Sequence, residues 1–169
     1  IIEHDNPTFI LIRNGQSHIV KKSKLEIKSS SVRDTNLHFS QFQTLPDDRI
    51  ILCSDGVSQS GLGKADTPLG WHEEMVSRFI EDIVNSDPKI SAWDLSKKIV
   101  KKALYIDDRK AAEDITCVVI YFRLPRETLV LTGPPFLKEN DQEMAMIARS
   151  FPGKKVICGG TTSIIVSRE

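Results

Sequence analysis

The feature that most constrains the fold of this chain is a pair of apolar runs, each with a carboxylate at one end. The first run, residues 49–54, leads into Asp55, and Gly56 turns the chain away immediately afterwards. The second run, residues 115–122, follows Glu113 and Asp114 and is too apolar for either of its faces to meet water. Both runs predict strands, and the second predicts a strand that is buried on both faces.

Carboxylates at the ends of strands are natural ligands for hard divalent cations. The strand fixes the carboxylate oxygens in space, and the sheet beneath them excludes competing water. We therefore identify Asp55, Glu113 and Asp114 as candidate metal ligands, with Gly56 as the backbone position beside the metal. The chemistry predicted for these residues is metal-assisted.

Three segments resemble one protein family in type and in order. They are the opening segment 5–15, the Ser-Asp-Gly sequence at 54–56, and the acidic pair that leads through Ile115 into Thr116. Together they resemble the C-terminal half of the SpoIIE-like branch of the metal-dependent (protein phosphatase 2C-like) serine/threonine phosphatases, over residues 1–122. The resemblance implies a bacterial signalling enzyme whose two Mn²⁺ or Mg²⁺ ions activate a water. That water attacks phosphoserine or phosphothreonine in a phosphorylated regulatory protein.

The acidic pair departs from the family pattern and leaves two alternatives open. The family normally uses the first residue of this pair as its ligand, and here that residue is Glu113 rather than an aspartate. Because successive strand residues point to opposite faces, Glu113 and Asp114 cannot both aim at one metal if the strand has already begun. Asp114 matches Asp55 in length, whereas Glu113 reaches further by one methylene.

A second departure is the absence of the family's Asp-Gly-x-Gly segment, whose aspartate bridges both metals. The chain also opens with Ile1 and Ile2, which have the character of a strand interior, and has no initiator methionine. We therefore expect a C-terminal piece that lacks the N-terminal half of its own catalytic domain. Such a half-site is expected to hold metal weakly and to be inactive alone.

Composition narrows the classes of partner. Basic and acidic residues number 23 each, so no nucleic-acid or anionic-membrane partner is expected. No apolar stretch approaches the ~20 residues of a membrane span. The cysteines Cys53, Cys117 and Cys158 lie in apolar runs without metal-ligand spacing, which predicts buried, reduced thiols. Reduced thiols predict a cytoplasmic protein.

The pattern of elements predicts an α+β fold. A mainly antiparallel sheet, with a hairpin at Asn14 and Gly15, carries two helices on one face, at about 71–84 and 91–104. The intervening segment 56–70 is rich in turn residues and predicts a mobile loop. We assign residues 1–124 to the C-terminal part of a phosphatase-like catalytic domain and residues 125–169 to a small βαβ extension.

The βαβ extension contains glycine-rich loops after each of its strands. Parallel strands at 128–131 and 155–158, joined by a helix at 141–151, place both loops at one carboxyl edge of the sheet. The candidate anion-binding residues at this edge are Gly133, Gly159, Gly160, Thr161 and Thr162. Either threonine could cap a helix through residues 164–166, and plain turn chemistry accounts for the glycines equally well.

Two functions of different class follow. The first is the phosphatase. The alternative is a non-catalytic regulatory module that binds a small anion or a partner protein through the Gly133 and Gly159-Gly160 edge. An Asp-Gly-x-Gly segment upstream of Ile1 would favour the enzyme, and its absence would favour the module.

Overall fold

The computed structural model describes residues 1–4, 6–27 and 35–168. Asp5, the first residue of the segment 5–15, lies outside the described residues. The chain divides into two compact units, Ile1–Arg123 and Leu124–Glu169.

The described residues of the first unit form two antiparallel sheets. Their strands are β1 (Ile2–Glu3), β2 (Ile10–Arg13), β3 (Gln16–His18), β4 (Ser23–Ile27), β5 (Thr35–Phe39), β6 (Arg49–Cys53) and β7 (Cys117–Tyr121). Over the described residues, one sheet has the order β1-β5-β4 and the other the order β3-β2-β6-β7. In the larger sheet, β6 therefore pairs with β2 on one side and with β7 on the other.

The predicted hairpin is confirmed. Arg13 pairs with Gln16, and the two residues between them, Asn14 and Gly15, have φ of 52° and 76°. A two-residue turn of this kind needs positive φ at both positions, and asparagine and glycine supply it with the least strain.

The two predicted helices are also confirmed, as α2 (Glu73–Ser86) and α3 (Ala92–Ile106), which follow the short helix α1 (Asp55–Ser58). Ser91 caps α3 by accepting a hydrogen bond from the amide of Asp94 at 3.0 Å. The apolar stripes of the helices bury against one face of the larger sheet. That core includes Ile12, Ile51, Val57, Val76, Ile80, Val84, Leu95, Ile99 and Ala103.

The expectation that residues 115–122 are buried on both faces is wrong. Strand β7 lies at the edge of its sheet, and its side chains alternate between half-buried and exposed. Cys117 and Val119 pack toward the helices, whereas Val118 and Ile120 are 50% and 44% exposed. Among the described residues, Phe9 and Phe42 cover part of that second face near Leu11 and Ile50. Strand β7 is therefore apolar on both faces, but the two phenylalanines do not bury Val118 and Ile120 on its second face.

The second unit is a strand-helix-strand unit followed by a helix, as predicted. Strands β8 (Thr128–Thr132) and β9 (Lys154–Cys158) are parallel, and a 3₁₀ turn at Lys138–Asn140 leads into α4 (Asp141–Ser150) between them. The last helix, α5 (Gly160–Arg168), begins two residues earlier than a Thr161 cap would require, so neither threonine is its N-cap. Thr161 and Thr162 therefore lie in its first turn, and Gly159 precedes it.

The predicted α+β class, with antiparallel sheets and packed helices, is confirmed. None of the helices in the described part of the chain is long and apolar enough to cross a bilayer.

Candidate active site

Asp55 is the first residue of α1 and follows β6 after one intervening residue. Its carboxylate is exposed and accepts a hydrogen bond from the amide of Gly56 at 3.0 Å. The segment 56–70 was predicted to be a mobile loop, but it starts with this helix and continues in hydrogen-bonded turns. Ser60 Oγ donates to the Gly56 carbonyl at 2.7 Å, and Thr67 Oγ1 donates to the Gly61 carbonyl at 2.7 Å.

Glu113 and Asp114 lie in irregular backbone, because β7 begins only at Cys117. Both side chains are exposed. The alternation of a strand therefore does not force these two carboxylates to opposite sides. Whether one or both are metal ligands stays a prediction.

The structure brings the Asp55 segment against the acidic pair through Ser54. Ser54 Oγ donates to the Asp114 carbonyl at 2.7 Å and accepts from the amide of Thr116 at 2.9 Å. The Ser54 amide also donates to the Thr116 carbonyl at 3.0 Å. Sequence reasoning treated Ser54 only as part of a motif and missed this function. The available signal was a serine directly before an aspartate at a strand end, where a hydroxyl satisfies neighbouring backbone groups.

Gly56 allows this close approach. A Cβ atom at Gly56 would lie 2.6 Å from the Asp114 carbonyl oxygen and 3.3 Å from the Cβ of Glu113. Any larger residue would push the two segments apart. That Gly56 is a backbone position beside a metal stays a prediction; the structure places it against the acidic segment.

The donor chemistry of Asp55, Glu113 and Asp114 fits Mn²⁺ or Mg²⁺, since carboxylate oxygens are the hard ligands that these ions prefer. Within the described residues, however, no three or more His, Cys, Asp or Glu side chains are grouped as a metal site requires. Asp55, Glu113 and Asp114 are therefore not grouped into a metal site in the described part of the chain.

A pocket of about 280 Å³ lies beside the acidic pair. Gly56 lines it together with two basic residues, Lys64 and Lys110, and two acidic residues, Asp107 and Glu113. The Lys64 ammonium contacts Asp108 at 2.6 Å and also donates to the Ile106 carbonyl. No described carboxylate pairs with Lys110. Lys110 thus lines the same pocket as Glu113 and has no carboxylate partner in the part of the chain that the structure describes.

The cysteines only partly match their prediction. Cys53 and Cys117 are half-buried cross-strand neighbours, and Cys158 is exposed rather than buried. The hydrogen bond between the first two thiols, followed by burial, raises the pKa of Cys53 far above its usual range. Cys53 is therefore a packed, protonated thiol at neutral pH.

The residues of the second candidate site meet at one edge of the second unit. Thr132 pairs with Cys158 at the ends of the parallel strands, so Gly133 and Gly159 leave the sheet side by side. Gly160, Thr161 and Thr162 then form the first turn of α5.

Solved structures of other proteins have a fold similar to that of this chain. One is described as the phosphatase domain of the cell fate determinant SpoIIE from Bacillus subtilis, with a TM-score of 0.51 and 12% identity. The chain shares its fold with the SpoIIE phosphatase domain. The match covers 75% of this chain and 52% of that one. A second structure of that domain, presoaked with Mn, has a TM-score of 0.48 and 13% identity, with coverage of 75% and 51%.

The chain therefore spans about half the length of these SpoIIE phosphatase domains. No protein-family model and no curated protein sequence matches it significantly. The family resemblance given by the three motifs is confirmed at the level of the fold.

Proposed function

We propose that the chain is the C-terminal part of a metal-dependent protein phosphatase that hydrolyses phosphoserine and phosphothreonine in a regulatory protein. The observation that carries this proposal is the contact between the Asp55 segment and the Glu113–Asp114 segment, inside a fold shared with the SpoIIE phosphatase domain. Two distant parts of the sequence meet there with three carboxylates exposed to solvent. A structural role does not require exposed acids on both segments.

The proposed residue roles follow from the chemistry. Asp55 and one or both of Glu113 and Asp114 would hold Mn²⁺ or Mg²⁺, with Ser54 and Gly56 positioning them. When bound, the ions would lower the pKa of a water toward ~7 and neutralise the phosphoryl oxygens. Lys110, which lines the neighbouring pocket, would attract the anionic phosphoryl group.

The open face of β7 supports the idea that further protein completes the domain. Val118 and Ile120 expose apolar side chains on the face away from the helices, and the outer backbone edge of β7 has no strand partner among the described residues. Open edges and exposed apolar faces favour association with additional chain. We propose that the missing N-terminal half of the catalytic domain covers this face and supplies the remaining metal ligands.

The test is hydrolysis of a phosphoserine peptide with Mn²⁺, by this chain alone and by a longer protein that includes the upstream sequence. We expect no turnover by the chain alone and Mn²⁺-dependent turnover by the longer protein. Asp55→Asn should lower that rate roughly a hundredfold or more, because one carboxylate that positions the metals is lost. Glu113→Gln and Asp114→Asn, measured in parallel, would identify which residue of the pair is the ligand.

Asp66→Asn is the matched control, since Asp66 is an exposed aspartate of the same 56–70 segment. It should leave the rate unchanged. If the longer protein with Mn²⁺ stays inactive on a panel of phosphopeptides, the phosphatase proposal fails and the non-catalytic module is favoured. Equal activity of Asp55→Asn and wild type would reject the assignment of Asp55.

A further inference from the structure

The edge of the second unit where β8 and β9 end has the features of a binding site, and its residues are independent of the proposed phosphatase chemistry. We propose that this edge binds the phosphate group of a small molecule, or free phosphate, at the N-terminus of α5. The site consists of the turn at Gly159 and the first-turn residues Gly160, Thr161 and Thr162.

Thr162 provides the observation that points to a ligand. Its side chain is 1% exposed, and its hydroxyl oxygen has no hydrogen-bond partner among the described residues. That oxygen lies 3.7 Å from the position that a Cβ on Gly159 would occupy, so it faces the turn at the start of the helix. A buried hydroxyl without a partner is costly, and a bound oxygen at this turn would satisfy it.

The backbone around Thr162 is arranged to meet an anion. The first helical hydrogen bond of α5 runs from the Ser163 amide to the Gly159 carbonyl at 3.1 Å. The amides of Gly160, Thr161 and Thr162 therefore precede any intrahelical acceptor. Gly159 has no side chain with which to cap them. These three amides and the Thr162 hydroxyl make four possible donors at a positive helix end.

The space above this turn is open. A Cβ added to Gly160 would meet no atom within 4 Å, and the same holds for Gly133, which leaves the neighbouring strand with φ of 88°. The first turn of α5 contains no acidic residue, whereas Asp141 and Glu143 occupy the first turn of α4. Acidic side chains would compete with an anion, so α5 is the helix of this unit at which an anion is accepted.

The number of donors favours phosphate over carboxylate. A phosphate group presents three or four oxygens to converging donors, whereas a carboxylate presents two. Free phosphate and a phosphate monoester share this chemistry and differ in whether an organic group must extend into the open space beside Gly133 and Gly160.

The experiment is a titration of the full ¹⁵N-labelled chain with inorganic phosphate, followed by amide chemical shifts. We expect saturable shifts at Gly160, Thr161 and Thr162. Thr162→Val should weaken binding roughly tenfold or more, because one hydrogen bond to the anion is lost. Thr162→Ser, which keeps the hydroxyl, should retain binding. Thr128→Val is the matched control, since Thr128 is an exposed threonine at the opposite end of β8.

Parallel titrations with glycerol phosphate and with acetate show which kind of anion the site prefers. Tighter binding of glycerol phosphate would identify a phosphorylated small molecule, and tighter binding of inorganic phosphate would identify the free ion. Acetate that binds as tightly as phosphate would overturn the proposal. Shifts that do not saturate at residues 160–162, or unchanged affinity of a folded Thr162→Val variant, would also overturn it. Wild-type shift mapping decides the matter even if that variant does not fold.

Discussion

Strand β6 has an aspartate near each end, and the two occupy opposite environments. Asp48 precedes the strand and is fully buried, with its carboxylate accepting bonds from Arg13 Nε at 2.9 Å, Arg13 Nη2 at 2.7 Å and the Leu45 amide at 2.8 Å. Asp55 follows the strand and is exposed, with one hydrogen bond from Gly56. A carboxylate that is buried and paired with a guanidinium is not accessible to a metal cation. We therefore infer that Asp48 stabilises the fold, whereas the exposed carboxylate of Asp55 is free to bind a metal ion.

The largest expected effect is a difference in stability between variants of these two residues. Asp48→Asn should lower the free energy of unfolding by about 1 to 3 kcal/mol, because the buried amide loses the charge-assisted hydrogen bonds that the Asp48 carboxylate accepts from Arg13. Asp55→Asn should change it by less than about 1 kcal/mol, the usual range for an exposed residue in a first helical turn. Urea unfolding followed by tryptophan fluorescence measures both, since Trp71 and Trp93 lie in the first unit. Equal losses of unfolding free energy in the two variants would show that Asp48 is no more important to stability than Asp55.

The next prediction concerns pH. The hydrogen bonds from the Arg13 guanidinium, aided by the Leu45 amide and opposed by burial, hold the pKa of Asp48 below its usual range. A carboxyl whose pKa is lower in the folded state contributes stability that is complete above its unfolded pKa of about 3.9, and this contribution is lost as the pH falls through the folded value. The stability gap between wild type and Asp48→Asn should therefore be constant near neutral pH and narrow below about pH 4. Urea midpoints of both proteins across this range provide the measurement, and a gap that widens in acid would contradict the pairing.

The contrast between the two aspartates also shows what sequence alone could predict. Local patterns sufficed for the Asn14-Gly15 hairpin, the Ser91 cap and the parallel strands of the second unit, because turn and helix chemistry is encoded by adjacent residues. Asp48 and Asp55 both flank the same apolar strand, so their neighbours in sequence do not distinguish the buried one. The distinction comes from Arg13, which is distant in sequence.

The candidate site was predictable in part for the same reason. Asp55, Glu113 and Asp114 were found because carboxylates at strand ends are visible in a sequence. The hydrogen bonds of Ser54 to the 114–116 segment and the position of Lys110 beside the pocket depend on tertiary contacts. The edge position of β7 was missed because an apolar run has the same sequence pattern whether its second face is covered or open.

The smallest expected effect concerns the surroundings of Asp55. There, close backbone contact at Gly56 holds the Asp55 segment against the Glu113–Asp114 segment, without a buried ion pair. Gly56→Ala places a methyl group 2.6 Å from the Asp114 carbonyl oxygen, so the backbone must shift. The steric cost of about 1 to 3 kcal/mol is offset by up to ~1 kcal/mol of improved helix propensity, which leaves a net loss near 1 kcal/mol. Amide spectra should show displaced signals for Glu113, Asp114 and Thr116. Gly160→Ala, also in a first helical turn but with open space around it, should shift only its own neighbours. If Gly56→Ala left the signals of the acidic segment in place, the two segments would not be in contact in solution, and Asp55 would lose its proposed partners in metal binding.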